Sequence, residues 1–213
     1  MLLSNRLILR CINIRPHICS VMRIVAVNGS PRLIGNTSAA VNVMLDEFSK
    51  EGFETEHVQM YGSIMTPCND CGSCVIRGDG RCINEDDDMN AYLEKLAGAD
   101  AIILAAPSYY GGIPGQMKIL LERITFASSV CASGNPLAYK IGGAIAVQGR
   151  DGGLSTYSEM VNFMLLNKMT VCGSSPLTVL TGTKPSEVLN DKVGVAALKA
   201  LAKEMIRLLS AHM

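Results

Sequence analysis

Apolar positions fall along the chain in short continuous runs that alternate with helical patterns. Runs rich in β-branched residues occur at 23–28, 101–106 and 141–147, a more alternating run spans 54–60, and a last run lies near 170–175. Between them, apolar positions recur at helical spacing over 37–50, 87–98, 115–129, 154–167 and 187–211. Continuous apolar strands are buried on both faces, and strands joined by crossover helices form parallel sheets covered on both sides. The pattern predicts an α/β fold with a doubly wound parallel sheet of about five strands.

In such folds, ligands bind beyond the carboxyl ends of the strands, where the strand order reverses. The loops that follow residues 28, 106 and 148 are therefore the predicted places for a binding site.

Two smaller features have structural interpretations. We expect His57, on the alternating run, to face solvent. The acidic residues 86–88 precede a predicted helix, so we interpret them as helix-capping residues rather than as a cation site.

Residues 1–21 differ in composition from the rest of the chain. They carry three arginines and no acidic residue, and the first acidic residue is Asp46. This bias resembles a transit peptide, but the segment lacks serine richness and a continuous apolar stretch. We favour upstream sequence ahead of a start at Met22. The prediction is an N-terminal extension, disordered or not native, over 1–21, dispensable for folding, followed by one domain over 22–213.

Composition and charge narrow the function classes. Of 213 residues, 48% are hydrophobic and 18% are charged, which suits a chain with a substantial core. The 19 basic and 19 acidic residues balance, which argues against nucleic acid as a partner. No apolar run approaches the ~20 residues of a membrane span. We expect a soluble, cytoplasmic protein without a membrane partner.

The loop after the first strand is rich in hydrogen-bond donors. It runs from Asn28 to the start of a predicted helix, and helix N-termini present unpaired N–H groups and partial positive charge. An ordinary turn, with Asn36 or Thr37 as the helix N-cap, is the alternative. The predicted phosphate contacts are hydrogen bonds from Ser30, Asn36, Thr37 and Ser38 and the charge of Arg32.

Three separated loops carry a family resemblance. Gly29-Ser30-Pro31-Arg32 with Gly35-Asn36-Thr37, the segment from Ala106 to Lys118, and Gln148 to Gly153 resemble the loops of the flavodoxin-like NAD(P)H-dependent FMN reductases. Members of that family commonly have Asp-Arg where this chain has Glu122-Arg123, a mild departure. The resemblance covers most of residues 22–175. It implies a flavodoxin-like sheet of order 2-1-3-4-5, with FMN phosphate held by the first loop.

The second and third loops suit a flavin ring. Aromatic faces and closely approaching glycine backbone fit its edge, although the same residues could simply plug the sheet end and turn the chain. A plain glycine turn is likewise the alternative for the third loop, where Arg150 is expected near flavin oxygens or a negatively charged substrate. The residues that the resemblance assigns to FMN in these loops are Pro107, Ser108, Tyr109, Tyr110, Gly111, Gly112, Gln148, Arg150, Gly152 and Gly153.

Four cysteines form a compact cluster after the second strand. Cys68, Cys71, Cys74 and Cys82 have the spacing C-x2-C-x2-C-x7-C, and glycines at 72, 78 and 80 allow the backbone to wrap. Thiolates at every third position can converge on an iron–sulfur cubane that a fourth thiolate completes. Zinc sites more often use two separated cysteine pairs, and disulfides require an oxidising compartment. A loop whose cysteines hold no metal remains the other alternative.

The position of this motif resembles the iron–sulfur flavoproteins, a branch of the same family. The final spacing of seven residues is at the long end for that branch. The resemblance implies a cysteine-rich insertion after the second strand that binds a four-iron, four-sulfur cluster next to the FMN of a neighbouring subunit.

The predicted function is therefore that of an FMN-dependent oxidoreductase that passes electrons between FMN and an iron–sulfur cluster. NAD(P)H is a possible donor, the partners are small-molecule or protein electron donors and acceptors, and a homodimer or homotetramer is expected. No catalytic side chain is predicted, because flavin N5 itself accepts the hydride. The alternatives are a cluster-free NAD(P)H-dependent FMN or quinone reductase, a non-catalytic flavodoxin-type carrier and a zinc-stabilised interaction protein.

Overall fold

Strands and helices alternate along residues 21–211, the part of the chain that the computed structural model describes. The elements in chain order are β1 (Arg23–Asn28), α1 (Asn36–Lys50), β2 (Glu54–Gln59), α2 (Ser73–Arg77), α3 (Met89–Ala97), β3 (Ala101–Pro107), α4 (Gly115–Ser129), β4 (Ile141–Gln148), α5 (Gly153–Leu166), β5 (Thr170–Val171), β6 (Val179–Thr181) and α6 (Lys192–Ser210), with a 3-10 turn at Glu187–Asn190. The predicted extension, apart from its last residue, lies outside the described residues.

The strands form one parallel sheet in the order β2-β1-β3-β4-β5, which confirms the predicted flavodoxin-like topology. The strand order reverses between β1 and β3, so the loops that follow these two strands flank the crevice where such sheets bind ligands. The cysteine segment lies between β2 and α3 and contains the short helix α2.

The fifth position of the sheet differs from the prediction of one strand near 170–175. It is divided between β5, which pairs with the start of β4, and β6, which pairs with the end of β4. The segment 172–178 separates the two short strands, and Pro176 within it has no N–H group to donate to a sheet ladder. As a result, β6 carries the chain back to the carboxyl edge of the sheet.

Helices cover both faces of the sheet. Buried side chains of α3, α4 and α5 form one core, and those of α1 and α6 form the other. Successive strand residues alternate between the two: Val25 and Val27 belong to the first core, and Ile24 and Ala26 belong to the second. This burial on both faces explains why the central strands read as continuous apolar runs.

The C-terminal helix begins later than the predicted 187–211 pattern suggests. Residues 187–190 form a 3-10 turn, and Asp191 then caps α6 by accepting a hydrogen bond from the Gly194 N–H at 2.9 Å. Within the described part of the chain, no helix is both long and apolar enough to cross a membrane.

Candidate functional site

The carboxyl ends of β1, β3, β4 and β6 surround a cavity of about 240 Å³, here called the strand-end cavity. Its walls come from the three loops that the sequence singled out and from the loop after β6. The predicted cofactor residues that line it are Ser30, Arg32, Asn36, Thr37, Pro107, Ser108, Tyr109 and Gln148. The predicted residues that do not line it are Ser38, Tyr110, Gly111, Gly112, Arg150, Gly152 and Gly153.

The loop after β1 is held in shape by side-chain to backbone hydrogen bonds. The buried Asn28 accepts through Oδ1 from the Ser30 N–H at 3.0 Å, and Ser30 Oγ accepts from the Arg32 N–H at 3.1 Å. From the edge strand, Gln59 Nε2 donates to the Arg32 carbonyl at 2.7 Å. These contacts hold the backbone of the loop, and the Arg32 side chain is left exposed on the wall of the strand-end cavity.

The N-terminus of α1 opens on the same cavity without a side-chain cap. Its N-cap residue is Gly35, which has no side chain to accept the first-turn N–H groups. Asn36 instead accepts through Oδ1 from the Val188 N–H at 3.1 Å, so it fastens the loop before α6 rather than capping α1. The uncapped helix end has the N–H groups and partial positive charge that bind anions, as a phosphate site requires.

A tight turn after β3 presents one tyrosine to the cavity. The Tyr109 and Gly112 backbones exchange hydrogen bonds of 2.9 and 3.1 Å, and φ is positive at both Tyr110 and Gly111. Positive φ at both central residues is the mark of a type I′ turn. Because of this turn, Tyr109 lines the cavity and Tyr110 is fully exposed beside it.

The loop after β4 is anchored to the helix that follows it. Gln148 Oε1 accepts a hydrogen bond from the Gly153 N–H at 2.8 Å, at the start of α5. The loop between them carries Arg150, whose side chain is exposed outside the cavity wall. Gln148 therefore supports the loop as well as lining the cavity.

Gly152 allows the β4 loop to pack against the β3 turn. Its φ is +77°, and a Cβ atom there would lie 2.5 Å from Ser108 Oγ and 2.8 Å from Gly111 Cα. We expect Gly152→Ala to lower the free energy of unfolding by more than about 1 kcal/mol, because the left-handed backbone and the contact with Gly111 are both unfavourable to a side chain. Gly115→Ala is the matched control, since a Cβ at that position meets open space. Urea unfolding measures both, and equal midpoints for the two variants would contradict the packing argument.

Five of the residues that line the cavity were not among the predicted FMN contacts, although two of them, Gly35 and Gly149, lie in the predicted loops. The five are Gly35, Val147, Gly149, Gly182 and Thr183. The last two follow β6, which the apolar pattern did not reveal. Glu187 orders this loop by accepting hydrogen bonds from the Lys184 N–H and from the N–H and hydroxyl of Thr183, which together hold the pKa of Glu187 at about 2.

His57 supports the loop after β1 from the edge strand and is half-buried, so the prediction that it faces solvent is wrong. Because Asn28 Oδ1 accepts from the Ser30 N–H, Asn28 Nδ2 is the donor toward His57 Nε2 at 3.2 Å and toward Ser38 Oγ at 3.0 Å. His57 Nε2 must then be unprotonated, and Nδ1–H donates to Asn42 Oδ1 at 3.0 Å. Burial lowers the pKa of His57, which agrees with a neutral ring.

This arrangement predicts a pH dependence of stability. The pKa of His57 in the folded protein lies below its ordinary value of 6.5, so the unfolded chain takes up the proton first as the pH falls. The free energy of unfolding should therefore decrease from pH 6.5 downward, and His57→Gln should lose part of this decrease. Urea unfolding of both proteins above and below pH 6.5 measures the effect. An identical pH slope in the variant would show that His57 is not the responsible group.

All four clustered cysteines line a second cavity of about 250 Å³, here called the cysteine cavity. All four are free thiols; Cys68 and Cys71 are exposed, Cys74 is buried and Cys82 is partly buried. Hydrogen bonds from Ser73 lower the pKa of the Cys71 thiol, whereas burial raises that of Cys74. The structure therefore places the four cysteines around one cavity, and their role as a ligand set stays a prediction.

The backbone of the cysteine segment curves through glycines with positive φ. Gly72, Gly78 and Gly80 have φ values of 70°, 60° and 75°, as expected of residues that let the chain wrap. Within residues 21–211, no group of three or more histidine, cysteine, aspartate or glutamate side chains is arranged to hold a single metal ion. The four thiols line one cavity in this arrangement, and thiolate sulfur is the ligand type that iron–sulfur clusters require.

The acidic residues before α3 do more than cap a helix. Asp87 Oδ1 accepts from the Met89 N–H at 3.2 Å, but the cap residue Asp88 makes no side-chain hydrogen bond to the helix. Asp88 instead accepts from the Ile64 N–H at 2.9 Å. These carboxylates therefore bind the segment that leads into the cysteines to the start of α3.

Comparison with known proteins agrees with this geometry. A model of the NADPH-dependent FMN reductase family matches residues 22–184. The chain belongs to that family. An iron–sulfur flavoprotein of Methanocaldococcus jannaschii is 34% identical over 191 residues, which is 86% of this chain and 95% of the relative. An iron–sulfur flavoprotein of Methanosarcina thermophila is 33% identical, covering 86% of this chain and 93% of the relative.

Relatives of this similarity assign the chain to the iron–sulfur flavoprotein branch of the family, and it is accordingly a flavin-dependent oxidoreductase with FMN as cofactor. The solved structures show the same fold. An NAD(P)H:quinone oxidoreductase from Methanothermobacter marburgensis superposes with a TM-score of 0.63 at 12% identity, covering 87% of this chain and 96% of the other. An archaeal flavodoxin superposes with a TM-score of 0.58 at 15% identity, covering 89% of this chain and 99% of the other.

Proposed function

We propose that this family member binds FMN in the strand-end cavity and that Cys68, Cys71, Cys74 and Cys82 hold a four-iron, four-sulfur cluster. FMN supplies a ring that accepts a two-electron hydride and releases electrons singly, and such a cluster takes one electron at a time. The protein's own contribution is to orient these groups and to provide the charges around them. No side chain is required to act as a nucleophile.

The observation that carries the FMN assignment is the uncapped N-terminus of α1 beside an exposed arginine and an aromatic ring in one cavity. The first-turn N–H groups, Arg32 and the hydroxyls of Ser30 and Thr37 are the phosphate donors in this proposal. Tyr109 provides the face on which the ring stacks. Arg150 lies outside the cavity wall. Its proposed role is to contact flavin oxygens or a negatively charged substrate near the entrance.

The cluster assignment is supported by the four free thiols in one cavity and by the wrapping glycines. The names of the relatives, iron–sulfur flavoproteins, support it independently. Following the family resemblance, we propose that each cluster serves the FMN of a neighbouring subunit, which is compatible with two cavities that share no lining residue. We therefore propose a homodimer or homotetramer.

Small-molecule or protein electron donors and acceptors are the proposed partners, with NAD(P)H as the candidate donor. The proposed location is the cytoplasm, where reducing conditions keep free thiols available as metal ligands. Nicotinamide turnover separates this proposal from a flavodoxin-type carrier, which exchanges electrons with proteins only.

The test is anaerobic addition of NADPH or NADH to FMN-loaded protein, followed by absorbance of the oxidised flavin and of the nicotinamide. The flavin should bleach, and repeated addition of an electron acceptor should consume nicotinamide in many turnovers. Protein that retains FMN but leaves both nicotinamides unoxidised would reject the reductase assignment and favour a carrier.

A further inference from the structure

A buried ion pair lies beneath the cysteine cavity. Arg123 of α4 has a side chain that is 3% exposed, and Asp87, just before α3, has one that is 0% exposed. Arg123 Nη1 donates to Asp87 Oδ2 and to the Thr66 carbonyl, the latter at 3.0 Å. Arg123 Nη2 is buried as well, but it makes no hydrogen bond to any residue within 21–211.

An unpaired guanidinium nitrogen is costly in such a place. Buried polar groups are almost always hydrogen-bonded, and a buried cation needs both a counter-ion and acceptors for its remaining N–H groups. Asp87 supplies the counter-ion, but its own acceptor positions are also occupied by the N–H and hydroxyl of Thr66, at 3.0 and 2.6 Å. One half of the guanidinium fork is therefore left without an acceptor.

The missing acceptor for Arg123 Nη2 would lie in the cysteine cavity. Arg123 lines the cysteine cavity, whereas Asp87 does not, so the pair directs its positive end toward the thiols. Burial by itself would lower the pKa of Arg123, but Asp87 and the neighbouring Cys82 thiol raise it. Arg123 and Cys82 line the same cavity, and Cys82 is the cysteine close enough to contribute to this pKa.

We propose that, when Cys82 serves as a cluster ligand, Arg123 Nη2 would donate a hydrogen bond to the Cys82 thiolate and so raise the reduction potential of the cluster. The assignment rests on the proposed function, because it needs a cluster in the cysteine cavity. Thiolate-ligated clusters are anionic, and each gains one further negative charge on reduction. A fixed positive charge and an N–H donor at the sulfurs stabilise the reduced form more than the oxidised form, which raises the potential.

Arg123→Lys tests this directly in the full chain, because lysine keeps the positive charge for Asp87 but lacks the second arm of the fork. After anaerobic reconstitution, EPR-monitored redox titration gives the potential of the cluster, and the FMN potential is an internal reference. We expect unchanged FMN and iron content. The equilibrium constant for reduction of the cluster should fall at least tenfold, which lowers its potential by about 59 mV for one electron. Arg81→Lys is the matched control, since Arg81 pairs with Glu94 outside the cavity wall.

A second variant, Asp87→Asn with Arg123→Gln, removes both buried charges at once and should lower the cluster potential further. A wild-type cluster potential in either variant that retains iron would overturn the assignment. Loss of iron from both variants while FMN stays bound would also overturn it, because the ion pair would then be a support of the loop alone. Wild-type protein that holds no iron would instead defeat the proposed function and this inference together.

Discussion

Replacing Arg32 and Thr37 together with alanine should empty the FMN site while the protein stays folded. Arg32 is exposed on the cavity wall, and Thr37 is buried at the first turn of α1. Charge-assisted hydrogen bonds to a phosphate are worth ~1.5–3 kcal/mol each. Loss of both should therefore weaken FMN binding by roughly two to four orders of magnitude. Fluorescence titration of apoprotein with FMN measures the change.

The control for this experiment is Arg207→Ala, which removes another exposed arginine, paired with Glu204 on α6. It should leave FMN affinity unchanged. Far-ultraviolet circular dichroism verifies that the double variant is folded. A folded double variant with wild-type FMN affinity would show that the phosphate lies elsewhere.

Changing any one of the four clustered cysteines to alanine should remove most of the iron and leave FMN in place. A cubane needs a ligand at each iron, so the four thiols act as one set. The FMN site should be unaffected, because no cysteine lines the strand-end cavity. Iron, acid-labile sulfide and FMN per chain, measured after anaerobic reconstitution, check the result.

Cys131 and Cys172 provide matched controls in the same chain. Both are buried free thiols outside the cysteine cavity, and burial raises the pKa of Cys172 to about 11. Alanine at either position should spare iron and FMN alike. Equal iron loss from these variants, or iron retained in the four cluster variants, would contradict the assigned ligand set.

The central strands and the three loops could be located from the sequence because their signals are local, whereas the strand order came from the family resemblance. Continuous apolar runs require burial on both faces, and every residue of β1 after Arg23 and of β3 before Pro107 is buried. The loops at their carboxyl ends then have to meet at one edge of the sheet. The strand-end cavity therefore contains residues from all three predicted loops, beginning with Ser30, Pro107 and Gln148.

The missed part of the cavity depends on long-range pairing. The three residues of β6 are too few to give a period, and their place beside β4 follows from a register that only the folded sheet fixes. The loop that carries Gly182 and Thr183 was therefore not recognised. The sequence pattern also gave no sign that Asn36 bonds to Val188, because the two residues are distant along the chain.

The misread histidine has a similar cause. Alternation along an edge strand separates the two faces of the sheet, but it does not reveal that α1 covers one of them. His57 lies on that face, between Asn28 and Asn42. The buried pair of Arg123 and Asp87 was equally hidden, since a single arginine in a helical pattern has no sequence signal for burial.

Whether one chain holds both FMN and an iron–sulfur cluster is decided by the cofactor content of wild-type protein reconstituted anaerobically. We expect one FMN, four irons and four acid-labile sulfides per chain, with the iron lost when Cys82 is replaced by alanine. Negligible iron, or zinc in its place, with FMN retained would contradict this expectation and leave a cluster-free FMN reductase.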